Sequence, residues 1–149
     1  MNPALFHRRK LLRMSVALAV SLVAPATRAH EFFSKNLTVI HPWTRATAEG
    51  ATSAIVSMSF EDVIHSDRLI GAQTPVATSA ELGGEGAGLS FDFPIREGQN
   101  AELSEAGVYL RLLGLKHPLL LGREYPMTLV FASGGPIRAA LLIDYPPAA

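Results

Sequence analysis

Short segments with apolar residues at alternate positions follow one another along most of this chain. Residues 54–60 show the pattern best, because Ala54, Val56, Met58 and Phe60 share one face of an extended strand. No segment keeps a 3.6-residue period. The spacing therefore predicts an all-β domain, an antiparallel β-sandwich of eight or nine short strands. The other predicted strands are residues 36–40, 67–72, 78–82, 89–93, 100–103, 108–113, 127–132 and 137–143.

A glycine-rich run, Gly83-Gly84-Glu85-Gly86-Ala87-Gly88, interrupts the strand pattern. Because glycine loses the most conformational entropy on ordering, the run is interpreted as a loop or hairpin tip. A phosphate-binding loop would need a Gly-Lys-Ser/Thr pattern and a following helix, and the chain has neither here. The proline-rich end, residues 145–149, is predicted to be a frayed tail.

The first 29 residues have the layout of a cleaved export signal. His7-Arg8-Arg9-Lys10 is basic, residues 11–24 are mostly apolar, and Ala26-Thr27-Arg28-Ala29 supplies small residues at a cleavage site. The apolar run is shorter than the roughly 20 residues that cross a bilayer. Arg8-Arg9-Lys10-Leu11-Leu12-Arg13 also resembles a twin-arginine signal, so the export route stays open. We expect one mature domain, residues 30–149, without a membrane span.

Removal of this signal makes the protein acidic. The complete chain has 13 Lys and Arg against 13 Asp and Glu, and residues 1–29 hold five of the bases and none of the acids, which leaves a net charge of −5. Such a surface repels nucleic acid and suits a cation or a basic partner. Cysteine is absent, so disulfides and thiolate metal sites are excluded.

Four histidines follow the signal, and three have contexts that favour structural roles. His41, between a strand and Pro42-Trp43, is predicted to be packed with one ring nitrogen bonded to the backbone. His65 and His117 fall in polar segments and are interpreted as solvated loop residues.

His30 differs, because cleavage after Ala29 makes it the first residue of the mature protein. An N-terminal histidine offers its α-amine and its imidazole to one ion, a pair of nitrogens that suits copper(II). A further ligand is required, and Glu31, His41, His65 and His117 are the candidates. We therefore predict His30 as a metal ligand.

The sequence does not predict an enzyme. No Gly-x-Ser-x-Gly nucleophile motif occurs. The adjacent acids Glu61-Asp62 and the pair Glu102 and Glu105 are interpreted as solvated loop residues.

Three motifs in order give the mature chain a family resemblance. They are His41-Pro42-Trp43-Thr44-Arg45-Ala46, Asp67-Arg68-Leu69-Ile70-Gly71-Ala72 and Gly114-Leu115-Lys116-His117-Pro118-Leu119. With them, residues 30–145 resemble the periplasmic copper chaperones of the PCu(A)C type. The resemblance implies a cupredoxin-like Greek-key β-sandwich, a periplasmic location, copper binding, and a copper-receiving protein as partner.

The resemblance also implies a copper(I) site made of two His-x-Met pairs and an intervening methionine. On this chain the first pair maps to Gly83 and Glu85, and the second to Tyr109 and Arg111. None of these residues supplies a soft sulfur ligand, no methionine lies between Met58 and Met127, and the Arg111 guanidinium repels cations.

Two functional hypotheses follow. The first is an exported copper chaperone that has moved its ligands to histidines such as His30. The second is a periplasmic module without metal that uses Tyr109, Arg111 and the altered loop end of the sandwich to bind a protein partner.

Overall fold

Ten strands and no helix make up the regular structure of residues 30–145, the part of the chain that the computed structural model describes. The prediction of an all-β domain is confirmed. The additional strand is the first, a three-residue segment that carries too little pattern to be recognised. The strands are β1 (Glu31–Phe33), β2 (Thr38–Thr44), β3 (Ser53–Glu61), β4 (Asp67–Gln73), β5 (Ser79–Gly84), β6 (Phe93–Ile95), β7 (Ala101–Leu103), β8 (Val108–Leu113), β9 (Glu124–Phe131) and β10 (Gly135–Ile143).

The strands form one continuous, curled sheet in the order β5-β8-β3-β2-β10-β9-β4-β6, with β1 added to β2 and β7 added to β3. Strand β3 belongs to both layers of the resulting sandwich. Its first half, from Ser53 to Val56, pairs with β8, and its second half pairs with β2 and β7. The chain therefore passes from one layer to the other within a single strand.

The interior is filled by the alternating apolar residues that the sequence pattern identifies. Ala54, Val56, Met58 and Phe60 of β3 are all buried. The ring of Phe60 meets Phe131 edge to face at a centroid distance of 6.1 Å, a favoured aromatic geometry. Burying a large apolar side chain of this kind contributes about 1.5–3 kcal/mol, so these residues hold the two layers together.

One strand pair differs from the predicted antiparallel arrangement. Strands β2 and β10 run parallel, with Leu142 opposite Trp43 and Ile143 opposite Thr44, whereas every other pair is antiparallel. The expectation was wrong here because alternation shows which face of a strand is buried but not the direction of its neighbour. The parallel contact brings the end of β10 beside the end of β2.

The glycine-rich run is only partly a loop. Gly83 and Gly84 end β5 and pair with Tyr109 and Val108 of β8, and the turn is confined to residues 85–88. The predicted strand at residues 89–93 is also wrong, because β6 begins only at Phe93. Glycine here is compatible with a strand because a facing aromatic ring fills the space of its missing side chain.

Asp67, the first residue of β4, ties three parts of the chain together. Its buried carboxylate accepts hydrogen bonds from Asn36 Nδ2 at 2.9 Å and from the backbone amides of Arg68, Ser133 and Gly134 at 2.8 Å each. Burial raises the pKa of Asp67, but the four hydrogen bonds outweigh it, and the net pKa is lowered. The Asp-Arg-Leu motif thus begins with a structural residue.

Residues 30–145 contain no helix that is long and apolar enough to cross a membrane. The predicted export signal, residues 1–29, lies outside the described residues, as do residues 146–149 of the predicted tail.

Candidate metal centre

Three of the four positions that the resemblance assigns to copper(I) lie on the paired strands β5 and β8, and the fourth, Glu85, lies in the turn after β5. Gly83 is directly opposite Tyr109, and Arg111 is opposite Glu81. The ring of Tyr109 covers Gly83 so closely that a Cβ atom on residue 83 would lie 2.8 Å from the tyrosine Cζ. The site of the first histidine is thus filled by an aromatic ring.

Polar contacts of Arg111 with Tyr109 and Glu81 occupy the rest of this region. Arg111 Nη2 donates to the Tyr109 hydroxyl at 2.7 Å, and Arg111 Nη1 lies 3.4 Å from Glu81 Oε1. The guanidinium carbon is 5.4 Å from the Tyr109 ring centroid. Tyr109 packs against Gly83 and Arg111 reaches Glu81, both across the strand pair, so these positions provide cross-strand contacts and no soft metal ligand.

Methionine elsewhere in the described residues does not replace the missing sulfur ligands. Residues 30–145 contain two methionines, Met58 and Met127, which are 3% and 2% exposed and lie in the hydrophobic core. Met58 lies on β3 and Met127 on β9, so neither stands at the positions on β5 and β8 that the resemblance assigns to copper(I).

A different end of the domain brings two histidines together. Strand β1 pairs antiparallel with β2, and the backbone amide of His41 donates to the carbonyl of His30 at 2.8 Å. The two imidazole centroids are 6.4 Å apart with an angle of 45° between the ring planes. The pairing of β1 with β2 thus places His30 beside His41 in the folded protein.

His41 reaches this position through an irregular backbone. Its φ angle is +47°, in the left-handed region, and the register of β2 against β3 shifts between Ile40 and Trp43. The prediction of a packed ring bonded to the backbone was wrong, because the bulge turns the side chain outward. The side chain is 37% exposed and its Nε2 lies 3.5 Å from Asp144 Oδ2.

Each of the two histidines faces its own carboxylate. His30 Nε2 lies 3.5 Å from Glu124 Oε1, as His41 Nε2 does from Asp144. Glu124 begins β9 opposite Leu142 of β10, and Asp144 follows the end of β10. These four side chains, called the histidine cluster below, are all between 37% and 52% exposed.

The remaining histidines lie elsewhere. His65 is in an exposed loop with Nδ1 3.7 Å from Glu97 Oε2. His117 Nδ1 lies 2.9 Å from the Pro118 carbonyl, and its ring is 5.6 Å from that of Tyr125. In residues 30–145, no three His, Asp or Glu side chains already converge as a ready-made metal site. Metal binding at the histidine cluster thus requires movement of its exposed side chains.

A groove of about 490 Å³ opens beside His41 of the histidine cluster. His41, Trp43, Met58 and the residues at the end of β7 line it. An ion pair between Arg45 Nη1 and Glu105 Oε1, 3.1 Å apart, borders the groove.

This curled β-domain has the cupredoxin-like fold of PCuAC domains. The model of the LpqE-like family matches residues 37–143, and the chain belongs to this LpqE-like/PCuAC family. No match was found among curated proteins.

Solved structures agree with the family assignment. The apo PCuAC domain from PmoF1 is 30% identical, with a TM-score of 0.72 over 78% of this chain and 100% of that domain. The copper-bound PCuAC domain from PmoF2 is 24% identical, with a TM-score of 0.70 over 78% and 99% of the two chains. Copper(I)-loaded DR1885 from Deinococcus radiodurans is 23% identical, with a TM-score of 0.61 over 70% and 75%. The last two show the fold alone.

Proposed function

We propose that this chain is an exported copper-binding PCuAC domain that holds copper(II) at His30 and His41 and passes it to a receiving protein in the periplasm. The observation that carries the proposal is the approach of the two imidazoles to 6.4 Å at an exposed edge. The positions of the expected copper(I) site, in contrast, are filled by Tyr109 and Arg111.

The donor atoms of the cluster select the oxidation state. Imidazole nitrogens and carboxylate oxygens suit copper(II), whereas copper(I) prefers thioether and thiolate sulfur. Cleavage after Ala29 adds the α-amine of His30 as a third nitrogen. That amine and the Nδ1 atom of the same residue close a six-membered chelate ring around one ion, and His41 supplies a second imidazole.

Delivery to another protein is supported by the exposure of the cluster. The His30 and His41 side chains are 42% and 37% exposed, so a second protein can contact a bound ion without unfolding this domain. The family relationship supports a role in copper transfer rather than catalysis. The receiving protein would take the copper by ligand exchange at this surface.

The test is a copper titration of the mature protein that begins at His30, followed by calorimetry and by electron paramagnetic resonance. We expect one copper(II) ion per chain and a spectrum with nitrogen coupling. His30→Ala and His41→Ala should each weaken binding, and acetylation of the mature N-terminus should also weaken it because the α-amine is then blocked. His65→Ala is the matched control, since His65 lies in a separate exposed loop.

Absence of copper(II) binding by the mature protein would overturn the proposal. Equal binding by His30→Ala and wild type would do the same. The alternative is a module without metal that binds a protein partner through the altered loop end. It would be supported if the mature protein bound no copper and Tyr109→Ala weakened a complex with a partner.

A further inference from the structure

We infer that Glu124 and Asp144 are positioning residues, which hold the outer nitrogens of His30 and His41 so that the Nδ1 atom of each ring faces the copper. This inference rests on the proposed function. It adds two residues to the site and specifies which nitrogen of each imidazole binds the ion.

The pairing is one carboxylate to one imidazole, and it uses the same ring atom in both cases. His30 Nε2 faces Glu124, and His41 Nε2 faces Asp144, each at 3.5 Å. An imidazole that donates one N–H to a carboxylate keeps its other nitrogen free for a metal, and it becomes a more basic ligand. In both residues the nitrogen that does not face the carboxylate is Nδ1.

For His30 this choice agrees with the geometry of chelation. Only Nδ1 can close a six-membered ring with the α-amine of the same residue, because Nε2 lies on the far side of the imidazole. Glu124 contacts that far side. The carboxylate therefore occupies the nitrogen that the chelate does not use.

The backbone holds both carboxylates where they are needed. Asp144 Oδ1 accepts a hydrogen bond from the Tyr145 amide at 2.7 Å, which leaves Oδ2 to face His41. The amide of Asp144 donates to the Thr44 carbonyl at 3.0 Å, across the parallel contact of β2 and β10. The backbone of Glu124 is fixed by the pairing of β9 with β10, opposite Leu142.

At 3.5 Å these contacts are longer than a short hydrogen bond, and both partners are exposed. Exposed pairs of this kind contribute little to folding, so a loss of copper affinity can be separated from a loss of stability. Copper at Nδ1 would fix the rings and favour donation from Nε2–H to the carboxylates.

The experiment compares copper(II) binding by the mature protein with that by Glu124→Gln and Asp144→Asn. Removal of such an outer partner is expected to weaken metal binding by about 10–100-fold. Pulsed paramagnetic resonance should show a changed quadrupole coupling of the remote imidazole nitrogen, while the g values and copper hyperfine coupling stay close to wild type. Glu97→Gln is the matched control, because it removes the same charge from an exposed carboxylate that faces the imidazole of His65, outside the histidine cluster.

Three results would overturn the inference. Unchanged affinity and remote-nitrogen coupling in both variants would show that the carboxylates do not act on the rings. An equal loss of copper(II) affinity in Glu97→Gln would show that the effect comes from the net charge of the protein and not from contact with the rings. A large change of g values would make Glu124 or Asp144 a direct ligand. In each of these three results the wild-type protein still binds copper(II), so the proposed function would stand. A wild-type protein that binds no copper(II) would contradict the proposed function as well as this inference.

Discussion

The ring of Tyr109 lies against Gly83 across strands β5 and β8, in the space that a side chain at position 83 would occupy. The aromatic ring and the glycine therefore depend on each other. This pair stands where the family resemblance places histidines from both copper(I) ligand pairs.

Gly83→Ala should destabilise the domain by about 1–3 kcal/mol, because the added methyl group forces the tyrosine out of its place. Urea unfolding measures the change. In the Tyr109→Ala background the same substitution should cost little. Gly71→Ala in β4 is the matched control, since its Cβ would meet Val130 at an ordinary distance of 3.6 Å. An equal cost in both backgrounds would contradict the predicted clash.

A copper(I) site should be restored by the combined substitutions Gly83→His, Glu85→Met, Tyr109→His and Arg111→Met. The new histidines would stand on directly opposed positions of β5 and β8, and the two methionines would supply soft sulfur ligands. Competition with a copper(I) indicator dye measures the gain. A variant with only the two histidines should bind copper(I) more weakly, and equal affinities would argue against the mapped positions.

Asp67→Asn should lower the free energy of unfolding by about 2–3 kcal/mol at pH 7, because an amide cannot replace a carboxylate that accepts several hydrogen bonds. Asp92→Asn, which removes an exposed partner of Arg68, should cost less than about 1 kcal/mol.

The effect of Asp67→Asn should also depend on pH. The pKa of Asp67 is lowered in the folded protein, so its stabilising contribution is present above the unfolded-state pKa of about 3.9. It is lost as the pH falls through the lower folded pKa. Urea unfolding between pH 7 and pH 2 should therefore show a difference between wild type and variant that shrinks in acid, and a constant difference would contradict the charge-based explanation.

Met58→Leu should leave copper(II) binding unchanged. Met58 lines the groove beside His41 but is almost completely buried, and the proposed site binds copper through nitrogen and oxygen atoms. The expected loss of stability is less than about 1.5 kcal/mol, because leucine and methionine have similar volumes. Titration with copper(I) and copper(II) measures the first effect and thermal unfolding the second. Weaker copper binding with unchanged stability would assign a metal role to Met58.

The sequence predicts the fold well where burial on one face dominates. The alternation of Ala54, Val56, Met58 and Phe60 gave β3 and its inner face, and both agree with the structure. The three ordered motifs gave the family. The parallel contact of β2 with β10 could not be predicted, because it depends on residues about 100 positions apart in the chain.

The candidate site was only partly accessible from the sequence. His30 was singled out by its place after the predicted signal, and His41 was a candidate partner. Their actual proximity depends on the short strand β1, whose three residues give no usable pattern. Glu124 and Asp144 were not identified at all, because each lies more than 80 residues from its histidine, Glu124 from His30 and Asp144 from His41, and only strand pairing brings them close.

Strand β3, shared by both layers, also has a consequence for how the domain comes apart. Neither layer can detach while β3 stays intact, and breaking β3 removes the support of both at once. The domain should therefore behave as one cooperative unit, without a stable half that survives on its own. Copper bound at one edge would then protect the entire sandwich against unfolding, not only the strands that hold the ion.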